Sequence, residues 1–308
     1  MSIVFLTYLS RSGSTFLASN LYKYKDIFVS LEAPIPDNVH YGSFKINNSA
    51  ELESFIENLY TKQKFLAWGV QKDFLYTELA CKSFPINFNT ILSTILTMRA
   101  SQETKVHIYK CGHYIFHVGK IRALFPDAKI IFLVRDIRAI YNSQKTAKNS
   151  QTGKVMAKNP VETAMYYRQA ISIAQSYNHN SWFYLLRYED MLKDLFLELE
   201  NLCKFLNITH EKVENKNYSL KIPKEQQHLH SGINASPNLN KIERWRQHLS
   251  KYEIYSLQRI AKQEMEKYKY EKVQIENIGL LGYLLYLFWY SKYWVKKTLR
   301  YWKNKIIL

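Results

Sequence analysis

Apolar runs and helical repeats alternate along most of the chain. Short runs rich in apolar and β-branched side chains are typical of strands, and they lie at 3–8, 105–110, 129–134 and 182–186. Apolar side chains at helical spacing follow the first strand and recur near 51–63, 74–82, 87–99, 115–125, 137–148, 161–177, 190–206 and 250–268. Strands that alternate with helices predict a three-layer α/β domain over 1–275, in which helices flank a mostly parallel central sheet.

Two segments interrupt this pattern. Residues 207–240 are rich in Asn, Ser, Pro and His and contain no long periodic run, so we predict an extended surface flap. Residues 149–158 form a basic loop that contains one glycine. We expect both segments to shape the cleft that receives a ligand.

The last segment, 276–308, predicts an amphipathic helical tail. Residues 277–291 carry no charge, but these 15 residues are fewer than the roughly 20 that a membrane-spanning helix needs. From Lys292 onward, aromatic residues are interleaved with six Lys and Arg residues. This combination suits peripheral contact with a membrane through 278–308, and the alternative is a final helix that docks on the domain or on a second subunit.

Charge narrows the range of partners. The chain has 43 Lys and Arg against 26 Asp and Glu, a net charge of +17, and its 47% of hydrophobic residues excludes a disordered protein. A balance this basic indicates nucleic acid, an acidic membrane surface or ligands with phosphate or sulfate groups, unless it reflects only a Lys-rich composition. Three distant cysteines form no CxxC pair and no basic segment precedes the apolar N-terminal run, so we expect a cytoplasmic protein, peripheral at the inner face of a membrane if the tail binds lipid.

The loop after the first strand is a candidate anion site. Ser10–Thr15 is polar, contains a glycine and enters a helix, so its backbone N–H groups and the helix dipole favour an anion. Ser12, Ser14 and Thr15 add hydroxyl donors, and Arg11 adds a cation that can hold two oxygens. The alternative is an ordinary turn with a serine N-cap.

A second candidate anion site follows the strand at 129–134. Arg135 lies just past the carboxyl end of this strand, and Ser143 lies two turns along the helix that follows. Ligands of open parallel sheets bind at the carboxyl ends of the strands. Two anion sites at two strand ends therefore predict a ligand that carries phosphates at two ends.

These motifs resemble those of the sulfotransferases that use 3′-phosphoadenosine 5′-phosphosulfate (PAPS). The segment Arg11–Phe16, RSGSTF, is similar position by position to the first motif of the carbohydrate-type members, and Arg135 and Ser143 fall on the second motif. Arg187–Asp190, RYED, and Lys241–Arg246, KIERWR, resemble two later motifs.

The sequence departs from the family pattern at two of these positions. Ile137 replaces the usual proline of the second motif, and Glu243 stands where glycine is common. The resemblance nevertheless keeps the order and spacing of four motifs over roughly residues 3–265.

The resemblance implies a P-loop-NTPase-like fold, PAPS as donor, 3′-phosphoadenosine 5′-phosphate (PAP) as product, and no metal. It implies that the first motif holds the 5′-phosphosulfate, that the second holds the 3′-phosphate, and that Tyr188 lies near the adenine. The residues implied to bind the nucleotide are Arg11, Ser12, Gly13, Ser14, Thr15, Phe16, Arg135, Ser143, Tyr188, Lys241 and Arg244.

The candidate catalytic residues are Arg11, Glu32, Lys110 and His113. The resemblance implies that Arg11 supports charge on the leaving phosphate and that Lys110 contacts the transferring group. The acceptor hydroxyl needs a general base, and the sequence leaves Glu32 and His113 open. Glu32 precedes a proline as in carbohydrate-type members, with Ala33 as an extra residue, whereas His113 lies three residues after Lys110 instead of two.

The function implied is sulfuryl transfer from PAPS to a hydroxyl acceptor, a carbohydrate or glycolipid, with no nucleic-acid partner. One alternative is a P-loop-like nucleotide-dependent kinase, but the motif GxxxxGK[ST] is absent. The other is a non-catalytic basic protein that binds a membrane or a polyanion. That alternative explains the charge and the tail, but not two anion loops in the order of the family.

Overall fold

The computed structural model describes residues 1–33, 35, 43–148, 153–157, 159–213 and 242–306, with backbone only for 300–306. Most of the predicted flap lies outside the described residues. So do residues 149–152 and Lys158 of the basic loop, and Lys241. The described chain forms two compact units. One contains Met1–Tyr8, Gly13–Leu133 and the described residues from Asn178 to 213, and the other contains Leu9–Ser12, the described part of Val134–Tyr177 and 242–306.

A five-stranded sheet forms the centre of the first unit. The strands of the described chain are β1 (Ser2–Tyr8), β2 (Ile27–Ser30), β3 (Lys45–Ile46), β4 (Ile86–Asn87), β5 (Val106–Lys110), β6 (Lys129–Val134) and β7 (Phe183–Arg187). The sheet has the order β2-β5-β1-β6-β7, and β3 pairs separately with β4. β1 is parallel to both β5 and β6, and β2 is parallel to β5. The prediction of a mostly parallel sheet is confirmed.

Most helices lie where the apolar spacing predicts them. The helices of the described chain are α1 (Ser14–Leu21), α2 (Ser49–Tyr60), α3 (Gln63–Leu66), α4 (Lys72–Ala80), α5 (Phe88–Arg99), α6 (Val118–Leu124), α7 (Ile137–Gln144), α8 (Pro160–Tyr177), α9 (Tyr188–Lys193), α10 (Leu195–Leu206), α11 (Trp245–His248), α12 (Lys251–Ile260), α13 (Lys262–Lys267) and α14 (Gly279–Ile306). The short helices α3 and α11 have no counterpart among the predictions. The α/β class with helices that flank the sheet is therefore confirmed.

Three of the predicted helices are divided in the structure. The segment at 115–125 is a 3₁₀ helix, Gly112–His117, followed by α6. The pattern at 190–206 predicts one helix, but Asp194 ends α9 and its side chain accepts from the backbone N–H of Leu197 to begin α10. The pattern at 250–268 is likewise two helices that meet at Ala261. The short strand β2 has no counterpart among the predictions, because its four residues depend on pairing with β5, about 80 residues later in the chain.

A buried guanidinium organises the second unit. Arg138 on α7 forms a bidentate ion pair with Asp136, which lies 2.6 Å away at its nearest, and donates to Gln258 Oε1 at 2.8 Å. The ring of Trp245 lies 3.9 Å from the Arg138 guanidinium carbon. Full pairing of a buried charge is what makes its burial tolerable, so this network fixes α7, α11 and α12 in one arrangement.

The predicted tail forms one continuous helix, α14, within the second unit. It packs on α8 and α12, and Lys296 Nζ lies 2.6 Å from Glu162 Oε1 of α8. Among the described helices, none combines the length and apolar character needed to cross a bilayer. The boundary at 275 between a domain and a tail stays a prediction.

A neutral histidine lies at the centre of β5. His107 is completely buried, and its Nε2 lies 2.7 Å from Ser30 Oγ of β2. Burial, with the charge of Arg99, lowers the pKa of His107 to about 3. The folded state therefore holds this imidazole uncharged at pH values where an unfolded chain binds a proton.

We expect acid to destabilise the protein through His107. Its contribution is complete above the unfolded pKa near 6.5 and is lost as the pH falls toward 3, by an amount on the order of 5 kcal/mol. Urea unfolding at a series of pH values measures this slope. His107→Gln should flatten the slope, whereas the exposed His179→Gln should leave it unchanged; an equal slope in wild type and His107→Gln would contradict the assignment.

Candidate functional site

The second unit brings Arg11, Arg135 and Ser143 together. Arg11 Nε donates to Ser143 Oγ at 2.9 Å, and Arg135 Nη1 donates to the carbonyl oxygen of Arg11 at 2.9 Å. Burial, with the nearby charge of Arg135, lowers the pKa of Arg11. Two cations held in one partly buried place repel each other, and a bound anion relieves that repulsion. The two motifs that the sequence assigns to two phosphates therefore share one cluster of hydrogen bonds.

The loop that carries Arg11 also presents unused hydrogen-bond capacity. Ser12 is completely buried, and its Oγ has no hydrogen-bond partner among the described residues. A buried hydroxyl in that condition costs about 1–3 kcal/mol, which an oxyanion that accepts from it would offset. In the first unit, α1 begins at Ser14 with no side-chain cap, and the start of a helix is a place where backbone N–H groups can bind an anion.

Gly13 allows a tyrosine to approach the start of α1 in the first unit. Its φ is +90°, and a Cβ at this position would lie 2.2 Å from Cε2 of Tyr188. Tyr188 is buried and begins α9 directly after β7. The glycine is therefore required twice, by its backbone conformation and by the close ring. The structure brings together two residues that sequence analysis places in separate nucleotide motifs.

The carboxylate cluster, a set of side chains around the carboxylate of Glu32, lies at the carboxyl ends of β1 and β5 in the first unit. Lys110, the last residue of β5, donates from Nζ to the Tyr8 hydroxyl at 2.5 Å and lies 3.5 Å from Glu32 Oε1. The Tyr8 hydroxyl in turn donates to the same Glu32 oxygen. Lys64 Nζ lies 3.6 Å from the other oxygen, Oε2. Glu32 thus has a donor or a cation at each oxygen.

The backbone on both sides of Glu32 is fixed by aromatic side chains. Trp68 Nε1 donates to the carbonyl oxygen of Leu31 at 3.1 Å, and the Tyr109 hydroxyl donates to that of Ala33 at 3.0 Å. Three consecutive residues are therefore held on a rigid part of the fold. Such positioning is what a proton-transferring carboxylate requires.

The cluster keeps Glu32 ionised. Burial alone would raise the pKa of this carboxyl, but the charges of Lys110 and Lys64 outweigh burial and hold the pKa below its ordinary value. A carboxylate in this state is ready to accept a proton at neutral pH, and the lysine near it is ready to stabilise negative charge.

The remaining predicted residues differ in their surroundings. His113 is exposed in a 3₁₀ turn, with Nδ1 3.7 Å from Cys111 Sγ, and adds a weaker electrostatic effect on Glu32. Phe16 and the buried Thr15 lie on α1, and Arg244 is exposed at the start of α11. Lys241 lies outside the described residues.

Two members of the carboxylate cluster, Tyr8 and Lys64, are not among the residues that the sequence motifs predict. Tyr8 is hidden inside an apolar strand pattern, although its place as the last residue before the loop is a signal for a position at the sheet edge. Lys64 lies in the four-residue helix α3, and nothing in its local pattern links it to Glu32. Only the folded chain shows that the two lysines share one carboxylate.

Comparison with models of known families identifies a match to the sulfotransferase family over residues 4–212. The chain belongs to the sulfotransferase family. It is a sulfotransferase, as the sequence motifs predict.

Two solved structures share the fold. The sulfotransferase domain from the curacin biosynthetic pathway aligns with a TM-score of 0.59 and 18% identity, over 88% of this chain and 99% of that domain. The sulfotransferase domain of the Synechococcus PCC 7002 olefin synthase aligns with a TM-score of 0.58 and 16% identity, over 88% and 96%. A comparison with curated protein sequences gives no match.

The pH dependence of sulfuryl transfer should distinguish Glu32 from His113 as the base. Protonation removes a base, and the lowered pKa of Glu32 places that loss below pH 4.5, so we expect kcat/KM to show no acid limb between pH 5 and 8. Glu32→Gln should reduce kcat by about 10²- to 10⁴-fold. Tyr8→Phe removes a donor to the carboxylate and should move the acid limb to higher pH.

His113→Gln serves as the matched variant. It should keep most of the activity and the same profile. A limb near pH 6.5 that disappears in His113→Gln would assign the base to His113 instead.

Proposed function

We propose that this sulfotransferase transfers the sulfuryl group of PAPS to a hydroxyl of a carbohydrate or glycolipid. The observation that carries the donor part is the cluster of Arg11, Arg135 and Ser143, in which two motifs for negatively charged groups are joined by hydrogen bonds. The Oγ of buried Ser12, which has no hydrogen-bond partner in the described part of the chain, supports the same assignment, because it fits an oxyanion acceptor.

The two motifs bind different groups of the donor in this proposal. Arg11, Ser12 and the start of α1 hold the 5′-phosphosulfate, and Arg135 with Ser143 holds the 3′-phosphate. Tyr188, packed beside Gly13, lies against the adenine. Arg244, and Lys241 outside the described residues, contribute further positive charge.

PAPS supplies a sulfuryl group whose leaving group is a phosphate. Glu32 takes the proton of the acceptor hydroxyl as the new oxygen–sulfur bond forms, and the bond from sulfur to the phosphate oxygen breaks. Arg11 stabilises the charge that develops on that oxygen, and Lys110 stabilises the transferring group. Tyr8 holds Lys110 and Glu32 in place. Since Arg11 keeps its proton, it acts by charge and hydrogen bonding alone.

A reaction without metal is part of the proposal and stays a prediction. Within the described ranges, no group of three His, Cys, Asp or Glu side chains could hold an ion. The arginines and Lys110 provide the positive charge that metal ions supply in many phosphoryl-transfer enzymes.

The carbohydrate or glycolipid acceptor is supported by the sequence motifs. Arg11 is the first residue of the motif in its carbohydrate-type form, and Glu32 is an acid close before a proline as in those members. The cluster around Glu32 adds support, because a fixed and ionised carboxylate suits the deprotonation of a sugar hydroxyl.

The proposal includes peripheral contact with the inner face of a membrane through α14. The exposed side of this helix is apolar, with Leu280, Leu281 and Phe288 exposed by 75%, 72% and 55%. Lys292, Lys296 and Lys297 follow on the same helix, and residues 277–308 contain no acid. An apolar face with adjacent lysines suits the interface of an anionic bilayer.

Calorimetry with PAP, AMP and Mg·ATP tests the donor site. Wild type should bind PAP much more tightly than AMP, and Arg135→Gln should weaken PAP by about 10- to 100-fold because a charge-assisted contact worth about 1.5–3 kcal/mol is lost. Lys204→Gln, which removes one exposed cation on α10, should keep the wild-type affinity. Equal affinity for PAP and AMP would overturn the donor assignment, and a preference for Mg·ATP would favour a kinase.

Transfer of labelled sulfate from PAPS tests the acceptor. We expect glycans or glycolipids to be sulfated with a higher kcat/KM than phenols or steroid alcohols, and Glu32→Gln to reduce the transfer to the preferred class by about 10²- to 10⁴-fold. A preference for phenols or steroid alcohols would overturn the carbohydrate assignment while leaving sulfuryl transfer intact.

A further inference from the structure

We infer that a cationic pocket beside α14 binds the headgroup of an anionic phospholipid. The inference rests on the membrane contact proposed above and assigns it a specific binding site. The pocket has a volume of about 420 Å³ and lies within the second unit, between α8, α12, α14 and the segment that leads from α13 to α14.

The lining of the pocket is strongly cationic. Arg168, Arg259, Lys262 and Lys272 contribute to it, and no carboxylate is among the described residues that line it. Two acids lie next to these cations: Glu264 Oε1 is 3.3 Å from Arg168 Nε, and Glu266 pairs with Lys272. Four cations against two paired carboxylates leave the pocket with excess positive charge, which favours a phosphate group.

Tyrosines of α14 complete the pocket. Tyr286 and Tyr290 line it from this helix, and the ring of Tyr286 packs at 5.8 Å from that of Tyr255 on α12. The guanidinium carbon of Arg259 lies 5.9 Å from the centroid of the Tyr255 ring. Phenol hydroxyls and guanidinium N–H groups are donors to phosphate oxygens, while the rings can pack against a glycerol backbone.

The wall opposite α14 is fixed before any ligand binds. Gln258 Nε2 donates to the carbonyl oxygen of Val273 at 2.9 Å, and Val273 N donates to Gln258 Oε1 at 2.9 Å. The same Gln258 oxygen accepts from buried Arg138. A preformed wall reduces the entropy that a ligand must overcome.

The apolar surface next to the pocket indicates a lipid rather than a soluble phosphate. Tyr286 points inward, and its chain neighbours Leu285 and Leu287 are exposed on the same turn. Leu281 and Leu284 continue this exposed face one turn earlier. A headgroup in the pocket therefore places its acyl chains beside exposed leucines, where burial contributes about 25 cal/mol per Å².

Charge complementarity favours a membrane over a second copy of this chain. The exposed face of α14 is followed by Lys292, Lys296 and Lys297, and the pocket adds further cations. Two such faces would bring like charges together, whereas an anionic bilayer carries the opposite charge.

Vesicle flotation of the full chain tests the pocket. Wild type should bind vesicles of phosphatidylcholine and phosphatidylglycerol more tightly than vesicles of phosphatidylcholine alone. Arg259→Gln/Lys262→Gln should weaken binding to the phosphatidylglycerol vesicles by about 30-fold, since each cation near an anionic surface contributes about 1 kcal/mol. Lys72→Gln/Lys204→Gln, which removes two exposed cations of the first unit, should retain wild-type binding.

Two further variants distinguish an effect of the pocket from an effect of the apolar face of α14 and from a loss of folding. Arg259→Lys/Lys262→Arg keeps the charge and should retain the preference for phosphatidylglycerol, and sulfuryl transfer in solution should be unchanged in both pocket variants. Leu281→Ser/Leu284→Ser should weaken binding to both kinds of vesicle. If the pocket variant with glutamines retains the wild-type preference, or if the first-unit control loses as much, the inference is wrong.

The outcomes distinguish this inference from the proposed function. Wild type that binds phosphatidylglycerol vesicles through α14, but without any effect of the pocket variant, overturns the pocket alone. Wild type that binds no vesicle and forms dimers that Leu281→Ser/Leu284→Ser abolishes overturns membrane contact and the pocket, and leaves sulfuryl transfer untouched.

Discussion

Parallel pairing of β1 on both of its sides is the constraint on which the first unit depends. Every residue from Ser2 to Leu6 has a partner in β5, and every residue from Val4 to Tyr8 has one in β6. In a parallel sheet the carboxyl ends lie at one edge, so this pairing puts Tyr8 and Lys110 where they can share a hydrogen bond. A strand that is paired on both sides cannot shift its register, so the positions of the residues directly after it are fixed as well.

The elements that local pattern determines could be predicted, and those that depend on distant contacts could not. β1, β6 and α8 are long and strongly patterned, and the sequence places them within a residue or two. β2 is not predicted from the sequence, because its four residues form a strand only when they pair with β5. Among the site residues, Arg11, Arg135 and Ser143 stand in recognisable motifs, whereas Lys64 is linked to Glu32 only by the fold. Charge, unlike hydrophobic spacing, has no period along a chain that reveals its partner.

In the second unit, α14 has an unusual distribution of polar and apolar side chains. The inward face of this helix carries tyrosines, and its outward face carries leucines. Inside the unit, a guanidinium with complete pairing stabilises the packing of α7, α11 and α12. The leucines on the outward face of α14 are therefore not buried by their own unit, and the hydrophobic effect favours their contact with another apolar surface.

The ring of Tyr188 fills the place where a side chain on residue 13 would stand, and this restricts which residues relatives can have at both positions. A Cβ on residue 13 fits only if the ring at 188 is replaced by something smaller, because the ring carbon lies 2.2 Å from where that Cβ would stand. Even then the positive φ at residue 13 has to change. Two positions 175 residues apart in the chain are thereby expected to covary among relatives, so an alignment could detect their contact without any structure.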